Sequence, residues 1–67
     1  MKMNKRQTWV YNRIKNHGSP ILPSGFCYHQ DDRQALSQLL RAGVVREVPH
    51  PTVTHQDKPA IAYEVVS

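Results

Sequence analysis

Sixty-seven residues include a single cysteine, three glycines and only 7% aromatic side chains, and several features that define large functional classes are missing. Cys27 alone excludes an internal disulfide. No apolar run approaches the roughly 18 residues that a membrane span requires, and the basic amino-terminal segment lacks the apolar core and cleavage site of a signal peptide. We therefore expect a cytoplasmic protein that does not bind a membrane.

Catalytic and metal-binding signatures are equally sparse. The chain has no nucleophile elbow, no glycine-rich phosphate loop and no carboxylate pair with an evident partner. Cys27, His29, His50 and His55 are possible zinc ligands, but the Cys-x-His step is too tight for an ordinary structural zinc site. A chain this short also has little room for a deep cleft. The sequence predicts no enzyme, no cofactor and no metal site.

Acidic residues are absent from the first 17 positions, which makes the charge distribution uneven. The net charge of the chain is +4. Residues 1–17 carry five cations and no carboxylate, whereas residues 18–67 carry four cations against five carboxylates. A concentrated positive segment favours polyanions such as nucleic acid, although it is also an ordinary way to keep a small protein soluble.

The first segment has helical periodicity over residues 4–17. Val10, Ile14 and His17 recur at i, i+4 and i+7, and Gly18 supplies a stop. Trp9 lies on another side of this helix. Two interpretations of Trp9 remain open: a lid over the core, or an exposed contact with a phosphate backbone or a protein partner.

The central region predicts an irregular stretch or short helix over residues 19–30, because two prolines and a glycine interrupt it. A second clear helix is expected over residues 32–42, with Asp31 as its N-cap and Gln34 in the N3 position. Its apolar stripe is formed by Leu36, Leu39 and Leu40. Gly43 should end this helix with a positive φ, since the chain must turn sharply into a strand.

The carboxy-terminal third predicts two strands, at residues 44–48 and 60–66. Three prolines in the intervening residues 49–59 predict a long loop without regular pairing. In the second strand Ile61, Tyr63 and Val65 share one face, which we expect to cover the helices.

The stretch "LSQLLRAGVVREVP" followed by "IAYEV" resembles the winged helix-turn-helix family of DNA-binding domains, and the resemblance runs from about Arg6 to Val66. It implies a single small α+β winged-helix domain over residues 1–67, with two main helices, a degenerate second helix in residues 19–30 and a carboxy-terminal β-hairpin wing. Small phage or plasmid regulators of transcription provide the closest kind of example.

The resemblance also implies a partner, double-stranded DNA, and a way of binding it. Helix 32–42 would enter the major groove, where arginine can read guanine and glutamine can read adenine. The base-reading candidates on its outer face are Arg33, Gln34, Ser37, Gln38 and Arg41. The candidates for contacts to the phosphate backbone are Lys2, Lys5, Arg6, Arg13, Lys15 and Lys58. A homodimer is expected, because one short helix reads few base pairs.

A second interpretation makes the same domain a protein-interaction module, an adaptor or inhibitor of a transcription protein, with Trp9 and Tyr11 as its partner-binding residues. The wing loop favours it, since Lys58 and two histidines are opposed there by Asp57. Polar residues on the second helix are also what any exposed helix face carries. Asp31 and Asp32 at its start would face phosphates unless they serve as caps.

Overall fold

A computed structural model describes residues 2–66; Met1 and Ser67, the two ends of the predicted domain, lie outside the described residues. The elements are α1 (Lys5–His17), a short 3-10 turn (Pro23–Gly25), α2 (Gln30–Ala42), β1 (Val45–His55) and β2 (Lys58–Val65). The two strands form an antiparallel hairpin after the helices. The predicted α+β class, with a helical part followed by a carboxy-terminal hairpin, is confirmed.

Both ends of α1 follow from its sequence. The Asn4 side chain accepts a hydrogen bond from the Gln7 backbone N–H at 2.8 Å, and the Gln7 side chain accepts one from the Asn4 N–H at 2.9 Å. This reciprocal capping box satisfies two backbone donors at the helix start. Gly18 ends the helix with a φ of 77°. The expected helix over residues 4–17 is confirmed within one residue.

The start of α2 differs from the expectation. His29 is the N-cap and Asp32 occupies N3, so the prediction of Asp31 as N-cap with Gln34 at N3 was wrong. The Asp32 carboxylate reaches back and accepts hydrogen bonds from the backbone N–H groups of Tyr28 and His29, each at 3.0 Å. The helix therefore begins two residues earlier than its apolar stripe indicates.

The end of α2 is a left-handed turn at Gly43, whose φ is 77°, as expected. The Gly43 N–H donates to the Leu40 carbonyl at 3.1 Å and the Val44 N–H donates to the Leu39 carbonyl at 3.3 Å. These two bonds form a Schellman motif, which satisfies carbonyls that the helix leaves open. The chain enters β1 directly afterwards.

The core lies between the two helices and the inner part of the hairpin. Its largest fully buried apolar side chains are Phe26, Leu39, Val10 and Val45. Phe26 comes from the irregular segment between the helices. Its ring packs edge-on against the Tyr63 ring, with 5.9 Å between the ring centres. The irregular segment thus supplies a central core residue despite its lack of regular structure.

Ile21 ties the same segment to the sheet. Its backbone forms an isolated antiparallel bridge with Tyr63, and two hydrogen bonds of 3.0 Å run in opposite directions between them. The 3-10 turn follows at once and takes the place of a regular second helix. The expectation of an irregular or short helical stretch is confirmed.

The hairpin is longer than expected. The predicted loop over residues 49–59 was wrong, because β1 runs to His55 and β2 starts at Lys58, with the turn at Gln56 and Asp57. Pairing is interrupted only between Pro49 and Thr54. Pro49 and Pro51 lie in β1 and Pro59 in β2; they are tolerated because in this part of the two-stranded sheet each strand has an open edge, where N–H groups need no partner.

Side chains on β2 divide differently from the predicted faces. Tyr63 and Val65 pack against the core, as expected, but Ile61 is 56% exposed. That prediction for Ile61 was wrong because the residue lies on the outer part of the hairpin, where no helix covers it. We call residues 49–61 the hairpin arm; most of them are exposed.

Neither helix among residues 2–66 has the length and apolarity needed to cross a bilayer.

Candidate nucleic-acid interface

The face of α2 opposite the core carries every base-reading candidate that the sequence predicts. Asp32, Ala35, Leu36 and Leu39 form the buried face. At 100° per residue, the opposite side of the helix presents a polar surface that we call the α2 outer face. It consists of Gln30, Arg33, Gln34, Ser37, Gln38 and Arg41, all of them exposed.

The α2 outer face borders a shallow depression of about 770 Å³, which also includes Cys27, Tyr28 and His29. Two arginines line this depression, and none of the described residues that line it is a carboxylate. Its polar side chains offer both donors and acceptors. The surface is therefore suited to a partner that is negatively charged and rich in hydrogen-bonding groups.

Asp32 is removed from this surface by burial. One carboxylate oxygen accepts from the Tyr28 and His29 N–H groups, and the other accepts from Arg6 at 3.0 Å. The sequence suggested two carboxylates at the start of the helix facing phosphates. The structure leaves only Asp31 exposed there, because Asp32 serves as a cap.

The protonation of Asp32 reflects the same contacts. Burial works to raise the pKa of the carboxyl, but the hydrogen bonds from Tyr28 and His29 and the charge of Arg6 outweigh it and hold the pKa below its ordinary value of 3.8. The charged form is thus retained in the folded protein. Asp32 is a structural anion that joins the two helices at the base of the α2 outer face.

A second polar contact joins the helices beside this one. The Gln7 side chain is buried and donates a hydrogen bond to the side chain of Gln38. We call these four residues, Arg6, Gln7, Asp32 and Gln38, the helix junction. Because Gln38 is already bonded to α1, its orientation at the edge of the α2 outer face is fixed.

Cys27 is a partly buried free thiol next to the same helix start. Burial raises the pKa of its thiol, the nearby Asp32 carboxylate adds to the increase, and Arg33 only partly offsets it. The side chain packs against the core as a thiol. Within residues 2–66 there is no group of three or more His, Cys, Asp or Glu residues that could hold a metal ion.

The predicted phosphate-contacting cations do not all share one surface. Arg6 approaches the start of α2, and the Arg13 guanidinium donates to the Gly25 carbonyl of the 3-10 turn at 3.2 Å. The two arginines are seven residues apart, so they share one side of α1. Lys15 lies about 200° around the helix from Arg13 and borders β2 near Glu64. Lys58 lies at the outer end of the hairpin arm. Lys2 and Lys5 are exposed near the amino end of α1.

Trp9 and Tyr11 are also separated. Tyr11 packs against the core, with the Lys15 ammonium 6.0 Å from its ring centre. Trp9 is 41% exposed and lies beside Tyr28 instead, with 6.3 Å between ring centres and 57° between ring planes. The Tyr28 hydroxyl donates to the Gly25 carbonyl at 3.1 Å, the same oxygen that Arg13 contacts. Trp9 and Tyr28 form an aromatic ridge on the surface.

Sequence reasoning missed two residues of this region. Gln30 belongs to the α2 outer face but fell outside the predicted helix, and Tyr28 was predicted to lie in the irregular stretch or short helix over residues 19–30. The signal that could have placed both is Asp32, since an acidic residue at N3 is typical of a helix that starts three residues before it.

Searches of protein-family models, of curated proteins and of solved structures each found no match to this chain.

Proposed function

We propose that this protein is a DNA-binding regulator of transcription that reads duplex DNA through the α2 outer face. One observation carries the proposal: the exposed side of the helix before the hairpin groups arginine, glutamine and serine around a depression with no carboxylate among its described residues. Arginine and glutamine are the side chains that best distinguish guanine and adenine in the major groove.

The dimensions of α2 fit such a role. Its 13 residues make a helix about 20 Å long, and the major groove of about 12 Å accepts a helix of about 10–12 Å in diameter. Burial of Asp32 supports this proposal in part, because it leaves one exposed carboxylate, Asp31, instead of two at the end that would lie beside the phosphates. The order of helix, bridged segment, helix and hairpin also suits membership of the winged helix-turn-helix family.

The charge near α1 would supply sequence-independent affinity. Arg6 contacts the start of α2, Arg13 lies two turns along on the same side of α1, and Lys5 is exposed near the amino end of that helix. Neutralising phosphates with such side chains releases counterions. Lys15 borders β2 on another side of α1 and Lys58 lies on the hairpin arm, so we leave both out of this contact. We therefore propose a phosphate-contacting set of Lys2, Lys5, Arg6 and Arg13.

A cytoplasmic homodimer is part of the proposal. One helix of this length contacts only a few base pairs, and two copies related by a twofold axis would read a symmetric site. We expect a dimer in sedimentation at tens of micromolar protein. A monomer that stays monomeric on a symmetric DNA site would remove this part of the proposal.

Selection of binding sequences from a pool of random duplexes tests the function. Arg33→Ala and Arg41→Ala should each relax the preference at particular base pairs by about 1–3 kcal/mol, because a lost bidentate contact penalises only the base that it read. Lys5→Ala should instead weaken binding to all sequences and reduce the slope of log affinity against log salt by about one.

Arg46→Ala is the matched control. Arg46 is an exposed arginine on β1 that pairs with Glu64 at 2.5 Å, away from the α2 outer face. Its loss should leave base preference unchanged. If Arg33→Ala and Arg41→Ala behave like Arg46→Ala, or if the wild-type protein binds no duplex at about 50 mM salt, the proposal fails.

The alternative, a module that binds another protein, is favoured by the hairpin arm. The arm exposes Val53 and Ile61. Its one lysine, Lys58, is directly preceded by the carboxylate of Asp57. A wing that contacts DNA phosphates needs more positive charge than this arm carries. Absence of duplex binding, together with an intact fold, would shift the proposal to this function.

A further inference from the structure

A second depression lies on the other side of the aromatic ridge. It has a volume of about 820 Å³ and separates the exposed side of α1 from residues 20–25; we call it the α1 groove. It shares no residue with the depression at the α2 outer face. The base-reading residues proposed above therefore lie outside it, and Arg13 is the one member of the proposed phosphate-contacting set that lines it.

The wall formed by α1 is polar and aromatic. Trp9, Asn12 and Asn16 are three and four residues apart, so they form one row along the helix. Arg13 stands beside this row and is exposed. The described residues that line the groove include no carboxylate, which makes the groove favourable for an anion.

The opposite wall is apolar and firmly placed. Pro20, Ile21 and Leu22 form it, and the Ile21 bridge to Tyr63 fixes the backbone of this segment. The Gly25 carbonyl closes one end, where it accepts hydrogen bonds from Arg13 and from the Tyr28 hydroxyl. Tyr28 in turn supports the Trp9 ring from the side. The aromatic ring is thus held in place while two fifths of its surface stays exposed.

These parts match the chemistry of an unpaired nucleotide. Single-stranded nucleic acid is bound where an aromatic side chain stacks on a base and a cationic groove follows the backbone. Asparagine amides can both donate to and accept from a base edge. A volume of this size lies within the range of about 300–1,000 Å³ usual for small-ligand sites.

We propose that the α1 groove binds single-stranded nucleic acid, with one base stacked on Trp9, base-edge contacts from Asn12 and Asn16, and a phosphate beside Arg13. A base within a duplex offers no free face to Trp9, since its neighbours cover both faces. An acidic peptide would use Arg13 but leave the aromatic ring and the two amides without function. The single-stranded ligand accounts for all four side chains.

Fluorescence gives a direct test because Trp9 is the only tryptophan in the chain. Titration of the intact protein with a short oligothymidine should quench the Trp9 emission through stacking. Polyglutamate of equal charge should quench it much less. No quenching by oligothymidine, or equal quenching by polyglutamate, would overturn the proposal.

The affinity of each variant for single-stranded DNA can be measured by the fluorescence anisotropy of a labelled oligothymidine. Trp9→Ala should weaken binding about 5- to 100-fold, and Trp9→Phe should weaken it less because a smaller ring still stacks. Thr8→Ala is the control, since Thr8 is an exposed residue of α1 that does not line the groove. Circular dichroism should show the same helix content for all three. Equal binding by Trp9→Ala and wild type would contradict the proposal.

Arg33→Ala separates the two surfaces. It should change duplex preference and leave oligothymidine binding unaltered, so failure of either proposal is visible without the other. If Arg33→Ala removes oligothymidine binding as strongly as Trp9→Ala does, the single strand lies on the α2 outer face and the α1 groove is not its site.

Discussion

In the helix junction, the buried side chains of Asp32 and Gln7 meet the exposed side chains of Arg6 and Gln38, whereas in the hairpin arm most polar side chains face water. Asp32 in the junction accepts three hydrogen bonds and has no exposed surface. His50 in the arm accepts from the Thr52 and Val53 N–H groups, at 3.1 and 2.9 Å, where the pairing of the strands is interrupted.

The difference lies in what replaces a lost bond. At the junction Asp32 and Gln7 are buried, so the loss of a partner leaves polar atoms there unsatisfied. In the arm, water replaces any partner at little cost. Polar contacts therefore determine the relation between the two helices, but only local geometry in the arm.

The largest effect should come from Asp32→Ala. It removes a buried acceptor from two backbone N–H groups and from Arg6, and should lower the free energy of unfolding by about 2–4 kcal/mol. Chemical denaturation measures this change. Asp31→Ala, the exposed neighbour, should stay within about 0.5 kcal/mol. If both variants lost a similar free energy of unfolding, Asp32 would not be the carboxylate that stabilises the helix junction.

Gly43→Val should come next, with a loss of about 2 kcal/mol. A φ of 77° is open to glycine but strained for a β-branched residue. Gly43→Asn should lose less, because asparagine tolerates the left-handed region. The melting temperatures of the two variants show which substitution is the more destabilising. A melting temperature for Gly43→Val equal to that of wild type would contradict the assigned turn.

Acid should weaken the junction selectively. The pKa of Asp32 is lower in the folded protein than the ordinary value of 3.8, so its stabilising contribution is complete above that value and is lost as the pH falls toward the folded pKa. The free energy of unfolding of wild type should therefore decline through this acid window. Asp32→Asn should show a shallower decline, and parallel curves would argue against the assignment.

The smallest expected effect is an increase in stability from a substitution in the hairpin arm. Gln56 and Asp57 both have positive φ, at 51° and 63°, which is the geometry of a type I′ turn. Asp57→Gly should stabilise the hairpin by about 0.5–1 kcal/mol, since glycine adopts this conformation without strain. Urea denaturation measures the gain. Thr54→Gly, in the adjacent strand, should destabilise instead.

Much of the fold was predictable because local sequence signals agreed with tertiary packing. Asn4, Gln7 and Gly18 define the ends of α1, and Gly43 defines the end of α2. The start of α2 was misplaced because the Asp32 side chain reaches backward, which periodicity does not reveal. The arm was missed since prolines disfavour a central strand, but an edge strand accepts them.

The candidate site was predictable in part, for the same reason. The α2 outer face follows from helical spacing once the core face is known. The separation of Lys15 and Tyr11 from the remaining α1 candidates also follows from spacing, but only after the neighbours of α1 are placed. The pairing of Trp9 with Tyr28 depends on a segment without periodicity, so no pattern in the sequence predicts it.

The bridge between Ile21 and Tyr63 has a consequence for how the protein folds. It joins positions 42 residues apart in the chain, and all of α2 lies within the loop that it closes. Closing so long a loop carries an entropy cost, and contacts between distant positions slow folding. The helices can form early from local signals, but the wall of the α1 groove is fixed only when β2 arrives. A nascent chain would therefore acquire its helices before it acquires the α1 groove.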